Sequence, residues 1–171
     1  MAYDCNQITT RIYCGSLIHS LDDVRDIKNL GITHIIDCCE QDDDPLIEAL
    51  VPVEARSFLR PGFTLGTASG SAGLAYLFNP TADDGQPKPT DWFERSIDFA
   101  MGALAHPQRT VLTHCAAGVN RGPSTAYAIM RALGWAETDA IVLLHTMRPV
   151  CVSGVRYADD ADRAVQTLGW V

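Results

Sequence analysis

The sequence is short of positive charge, of long apolar runs and of paired cysteine motifs, and each shortage excludes a class of protein. Only 13 Lys and Arg stand against 21 Asp and Glu, which gives a net charge of −8. A nucleic-acid-binding protein usually needs a basic face, so a nucleic-acid partner is not expected. No apolar stretch approaches the roughly 18 residues of a membrane-spanning helix, so no membrane partner is expected. The amino terminus has neither the basic nor the apolar region of a standard secretion signal.

The cysteines argue against a disulfide framework and against a structural metal site. Disulfide-rich scaffolds are shorter and denser in cysteine, and zinc motifs carry closely spaced pairs such as Cys-x2-Cys, which this chain lacks. The six cysteines stand at positions 5, 14, 38, 39, 115 and 151. We therefore expect a cytoplasmic protein with reduced thiols, no cofactor and no bound metal.

Length and composition predict one domain that spans residues 1–171. A chain of this size buries roughly 70% of the surface that it exposes when unfolded, so a proper core is feasible. Hydrophobic residues make up 47% of the sequence, which excludes global disorder. The sequence leaves the oligomeric state open.

Strands and helices alternate along most of the chain, which is typical of an α/β fold. Patterns rich in β-branched residues predict buried strands next to amphipathic helices. The predicted strands are 8–13, at a sheet edge, 32–37, 53–58, 76–78 and 109–113. The predicted helices are 21–30 with Ser20 as cap, 46–50, 92–106 with Asp91 as cap, 123–133, 137–146 and 158–168, and the predicted loops are 65–73 and 81–90.

The stretch from His114 to Arg121 combines a nucleophile with a site for an anion. It lies between a predicted strand and the start of a helix, where backbone N–H groups and the helix dipole attract negative charge. That field stabilises the thiolate of Cys115, which then needs no base to become a nucleophile. The planar guanidinium of Arg121 can hold two phosphoryl oxygens, and Gly118 allows the loop to bend. The candidate phosphate-binding residues are Ala116, Ala117, Gly118, Val119, Asn120 and Arg121.

The pattern His-Cys-x5-Arg at 114–121 resembles the signature of the cysteine-dependent protein phosphatases, and most closely that of the small atypical dual-specificity phosphatases. Weaker similarities follow in the family's order, at 12–16, 30–36, 92–99 and 147–149. The resemblance implies a protein-tyrosine-phosphatase-like α/β fold, with a central mixed sheet flanked by helices. It also implies a phosphate-binding loop between a strand and a helix N-terminus.

The resemblance implies a general acid on the loop before Trp92, and the chemistry requires one to protonate the leaving oxygen. Asp83 lies 32 residues before Cys115, a spacing that fits the small enzymes, and Asp84 is the alternative. Asp91 is better explained as a helix cap.

Three further residues near Cys115, namely His114, Gly122 and Ser124, bear on its reactivity. In the resembled family the histidine at the position of His114 tunes the loop and the thiol. That family usually has Ser or Thr directly after the signature arginine, where this chain has Gly122. The missing hydroxyl predicts slow hydrolysis of the phosphocysteine, unless Ser124 replaces it rather than only capping the helix.

The function predicted from the sequence is phosphomonoester hydrolysis through a phosphocysteine, without metal, on phosphotyrosine and phosphoserine or phosphothreonine of proteins. Three alternatives stay open. The same chemistry could act on an RNA 5′-triphosphate end or on a phosphoinositide. A catalytically impaired domain could instead bind phosphorylated partners. The Cys-x5-Arg pattern also occurs with other chemistry, such as arsenate reduction.

Overall fold

A five-stranded sheet forms the centre of the described part of the molecule. The computed structural model describes residues 2–40, 74–151 and 155–171. The strands are β1 (Cys5–Gln7), β2 (Ile12–Gly15), β3 (His34–Asp37), β4 (Ala75–Phe78) and β5 (Val111–His114). Their order across the sheet is β1-β2-β5-β3-β4. Only the pair β1 and β2 is antiparallel, so the sheet is mixed, as the sequence predicts.

Five helices of the described residues accompany this sheet, and they cover both of its faces. The helices are α1 (Leu21–Asn29), α2 (Thr90–Leu104), α3 (Arg121–Ala132), α4 (Glu137–Met147) and α5 (Ala158–Thr167). Successive side chains of a strand point to opposite faces. Accordingly Ile36 packs in a core with α2, α3 and α5, whereas Ile35 packs in a second core with Val24 and Ile27 of α1. This layering explains why the central strands β2, β3 and β5 are buried along their whole length.

Several ends of helices and strands agree with the predictions from the sequence, whereas the edge strand and the cap of α2 differ. Ser20 caps α1 and Asp23 completes a reciprocal capping box, as expected. Of the predicted edge strand 8–13, only residues 12 and 13 lie in a strand, β2, and the edge position belongs to β1, which ends before residue 8. Helix α2 begins at Thr90 after Pro89, so Asp91 lies inside the first turn and pairs with Arg95 rather than capping the helix. The rigid φ of proline suits the residue that leads into a helix.

The predicted helix 46–50, strand 53–58 and loop 65–73 lie outside the described residues. Among the helices that are described, none has both the length and the apolar character to cross a membrane.

The sheet topology brings three strand ends together. β5 lies between β2 and β3, and the register places Gly15, His114 and Asp37 side by side at the carboxyl ends of these parallel strands. This edge is where α/β folds generally bind ligands. The loop that follows β5 is therefore the place to look for a site.

Candidate functional site

Residues 114–121, which we call the phosphate loop, connect β5 to α3. Cys115 is buried at 2% exposure, while the neighbouring Ala116 and Ala117 are exposed. The carbonyl of Ala116 accepts from Leu17 N–H, and that of Gly118 accepts from Arg148. A trans peptide directs its N–H opposite to its C=O, so the peptide N–H groups that follow these carbonyls turn toward the inside of the loop. The loop thus directs two peptide N–H groups away from these outside partners, and it has a buried thiol near its start.

Gly118 is required by the close packing beneath the phosphate loop. Its φ is +63°, and an added Cβ would lie 2.6 Å from the carbonyl oxygen of Gly15. The same Cβ would also collide with the guanidinium of Arg148, whose Nε donates to Gly118 O at 2.7 Å. Arg148 is fully buried and binds Asn6 and Asp4 with its other nitrogens. Arg148 therefore attaches the phosphate loop to Asp4 and Asn6.

Arg121 opens α3 and connects three parts of the site. Its Nη1 donates to Cys38 O at 3.1 Å and to Thr81 O at 2.9 Å. Its Nε lies 3.8 Å from an Asp83 carboxylate oxygen, and its Nη1 lies 3.9 Å from Glu40. The side chain is only 6% exposed, so its charge acts in a region of low dielectric.

The two candidate acids occupy different environments on residues 79–89, the acid loop between β4 and α2. Asp83 faces the phosphate loop, where Asn120 Nδ2 lies 3.1 and 3.3 Å from its two oxygens. Asp84 points away and pairs with Lys88 at 2.6 Å. The hydrogen bond from Lys88 lowers the pKa of Asp84, which makes this carboxyl group less apt to hold a proton for a leaving oxygen. The structure thus brings Asp83, and not Asp84, to Arg121.

The hydroxyl of Ser124 is already engaged. It donates to Asn120 O at 2.8 Å and accepts from Tyr157 N–H at 3.2 Å. Because its one proton is directed to a backbone carbonyl, Ser124 holds the start of α3 together rather than offering a donor to Cys115. At Gly122 an added Cβ would lie 3.4 Å from Cys115 N, so a side chain there would reach the nucleophile's own backbone.

His114 lies beside a buried carboxylate that the sequence did not single out. Its Nε2 is 3.8 Å from Asp37 Oδ1, and both side chains are buried. Asp37 also accepts from Tyr76 OH and from Cys39 N–H. Asp37, Cys39 and His114 could together hold a metal ion, since their ligand atoms lie within 4.8 Å of one another. The sequence places Asp37 at the end of a predicted strand, but only the topology puts that strand next to β5.

All six cysteines lie in the described residues and are free thiols. Burial raises the pKa of the thiols of Cys14, Cys38, Cys39 and Cys151. These four side chains therefore keep their protons at neutral pH and are poor nucleophiles.

The comparisons with known proteins agree with this architecture. No family model matches the chain. The fold is similar to that of the human tyrosine phosphatase-like serine/threonine/tyrosine-interacting protein, with a TM-score of 0.68 and 21% identity over 97% of this chain and 98% of that one. It is also similar to PTPMT1 in complex with PI(5)P, with a TM-score of 0.69 and 16% identity over 96% of each chain. Human DUSP28 matches with a TM-score of 0.68 and 16% identity over 96% of this chain and 94% of that one. The chain therefore has a protein-tyrosine-phosphatase-like α/β fold.

Proposed function

We propose that this protein hydrolyses phosphomonoesters through a phosphocysteine intermediate. The observation that carries the proposal is the meeting of Asp83 and Arg121, 3.8 Å apart, at the end of the same loop that holds the buried Cys115 at its start. A carboxyl group, a guanidinium and a buried thiol are the three groups that this reaction needs.

The first step transfers the phosphoryl group to sulfur. The Cys115 thiolate attacks phosphorus while Arg121 and the inward N–H groups hold the equatorial oxygens. The S–P bond forms as the bond to the leaving oxygen breaks, and Asp83 gives its proton to that oxygen. In the second step Asp83 takes a proton from water, the water oxygen attacks phosphorus, and the Cys115 thiolate leaves.

We infer that the substrates are phosphotyrosine and phosphoserine or phosphothreonine in proteins, met in a reducing, cytoplasmic compartment. The phosphate loop carries uncharged side chains at Ala116, Ala117 and Val119. Glu40 adds a carboxylate beside Arg121. A headgroup with several phosphates, or a 5′-triphosphate end, would be repelled by this carboxylate and by the net charge of −8. An inositol lipid remains the second candidate because PTPMT1, a structural neighbour, is seen with PI(5)P.

The test is stopped-flow hydrolysis of p-nitrophenyl phosphate without added metal, with Cys115→Ser as the control. We expect a burst of about one equivalent followed by slower turnover, and no product from the variant. Phosphopeptides, PI(5)P and triphosphate RNA are then compared by kcat/KM. Higher kcat/KM for PI(5)P or RNA would overturn the substrate assignment. A folded wild-type protein that binds phosphopeptides but releases no phosphate would be a binding module, and full activity of Cys115→Ser would exclude the phosphocysteine.

A further inference from the structure

Tyr157 comes directly before α5 and contacts the acid loop at three places. Its OH donates to Asp83 Oδ1 at 2.8 Å and accepts from Gly85 N–H at 3.2 Å. The Nζ of Lys88 lies 4.8 Å from the centroid of the Tyr157 ring, a cation–π contact. Tyr157 is 3% exposed, whereas Asp83 and Gly85 lie on the surface, so the tyrosine holds the exposed acid loop from the inside.

The backbone of Tyr157 is tied to the opposite side of the site. Its N–H donates to Ser124 Oγ, and Ser124 Oγ donates to the carbonyl of Asn120. Asn120 in turn donates its Nδ2 to Asp83. The hydrogen bonds therefore close a ring through Asp83, Tyr157, Ser124 and Asn120, which joins the acid loop to the phosphate loop.

We infer that Tyr157 is a positioning residue for the general acid, which fixes one carboxyl oxygen of Asp83 so that the other faces the phosphate. This inference rests on the proposed function. Oδ1 receives the hydroxyl of Tyr157, while Oδ2 is the oxygen nearer to Arg121 Nε, at 3.8 Å. Oδ2 is thus the atom that delivers the proton to the leaving oxygen.

The protonation of Tyr157 supports this assignment. Burial and the hydrogen bond to Asp83 raise the pKa of Tyr157, so the hydroxyl keeps its proton and acts as a donor at neutral pH. Lys88 also binds Asp160 through its backbone N–H at 2.8 Å, which attaches the acid loop to α5 a second time. Without Tyr157 the loop would remain near α5, but the carboxyl group of Asp83 would lose its fixed rotation.

The experiment compares Tyr157→Phe with Tyr127→Phe on two substrates. Tyr127 is a matched control because it is also fully buried and its OH also donates to an aspartate, Asp162 at 2.7 Å, away from the acid loop. Phenyl phosphate has a basic leaving group that needs a proton, whereas p-nitrophenyl phosphate needs little protonation. We expect Tyr157→Phe to lower kcat/KM, which reports the first step only, roughly tenfold on phenyl phosphate and less than about twofold on p-nitrophenyl phosphate. Tyr127→Phe should change kcat/KM by the same factor on both substrates.

A double variant tests whether Tyr157 acts through Asp83. In the background of Asp83→Asn, Tyr157→Phe should cause no further loss of kcat/KM on phenyl phosphate, since the asparagine at position 83 has no acidic proton for Tyr157 to position. Equal losses of kcat/KM on the two substrates would overturn the role of Tyr157, and so would additive losses of kcat/KM in the double variant. Either result would leave the proposed function intact. A wild-type protein that turns over neither substrate would instead overturn the proposed function itself.

Discussion

At the scale of single residues, the most informative position is Gly122, the residue after the phosphate-binding arginine. Because the hydroxyl of Ser124 donates to Asn120 O, Ser124 does not replace the Ser or Thr that the resembled family has there. We predict that Gly122→Ser raises steady-state turnover severalfold without changing the burst rate, because a nearby hydroxyl stabilises the departing thiolate in the second step. Stopped-flow p-nitrophenyl phosphate hydrolysis separates the two phases.

The control for this prediction is Gly122→Ala. An added Cβ at this position lies 3.3 Å from the His114 backbone, so either variant must move the loop by a few tenths of an ångström. The alanine adds this crowding without a hydroxyl. Equal turnover in both variants would show that the hydroxyl has no part in the second step.

Asp83 and Asp84 are adjacent in sequence but differ in surroundings, which permits a sharp comparison. We predict that Asp83→Asn lowers kcat/KM on phenyl phosphate by about 100-fold, the ordinary contribution of a general acid. Asp84→Asn should change kcat/KM by less than about threefold, since the half-exposed Asp84 side chain pairs with the buried Lys88 and not with Arg121. The reverse order, measured with both variants folded, would assign the acid to Asp84.

At the scale of elements, Arg148 joins the strand β1 to the phosphate loop. One guanidinium binds Gly118 O, Asn6 Oδ1 and the Asp4 carboxylate, and its hydrogen bond lowers the pKa of Asp4. A lysine carries the same charge but has no planar fork to reach all three. We predict that Arg148→Lys lowers kcat/KM at least about tenfold on p-nitrophenyl phosphate and destabilises the fold by about 2 kcal/mol.

The control is Arg131→Lys, which disturbs another mostly buried arginine, bound to Asp162 at 2.6 Å. This pair lies away from the phosphate loop, so the variant should lose stability in urea unfolding without losing activity. If both variants have wild-type kcat/KM, then the contact between Arg148 and Gly118 does not shape the loop.

The sequence predicted the elements well wherever local patterns determine them. The capping box at Ser20 and the strand 76–78 are examples, and the mixed sheet flanked by helices is confirmed. What it missed depends on contacts between distant segments. Tyr157 meets Asp83 across 74 residues, and Asp37 meets His114 only because β3 and β5 are neighbours. Neither residue belongs to a spacing pattern, so only the folded topology identifies it.

At the scale of the whole molecule, its stability should depend on pH through a buried histidine. His34 in β3 is 8% exposed and its ring contacts Phe99, with 5.3 Å between centroids. Burial, aided by the positive charges of Arg109 and His106, lowers the pKa of His34 from 6.5 to about 4. The unfolded chain therefore binds this proton more readily than the folded protein does.

The direction of the pH effect follows from that depressed pKa. Above pH about 6.5 neither state is protonated at His34, and stability is at its full value; as the pH falls from 6.5 toward 4, only the unfolded state gains the proton. We predict a loss of roughly 2 kcal/mol across this interval, after allowance for solvent screening. His34→Phe keeps a ring against Phe99 but does not titrate, so its free energy of unfolding in urea should fall less over the same interval. Parallel curves for the two proteins would show that His34 is protonated as easily inside the fold as in the unfolded chain.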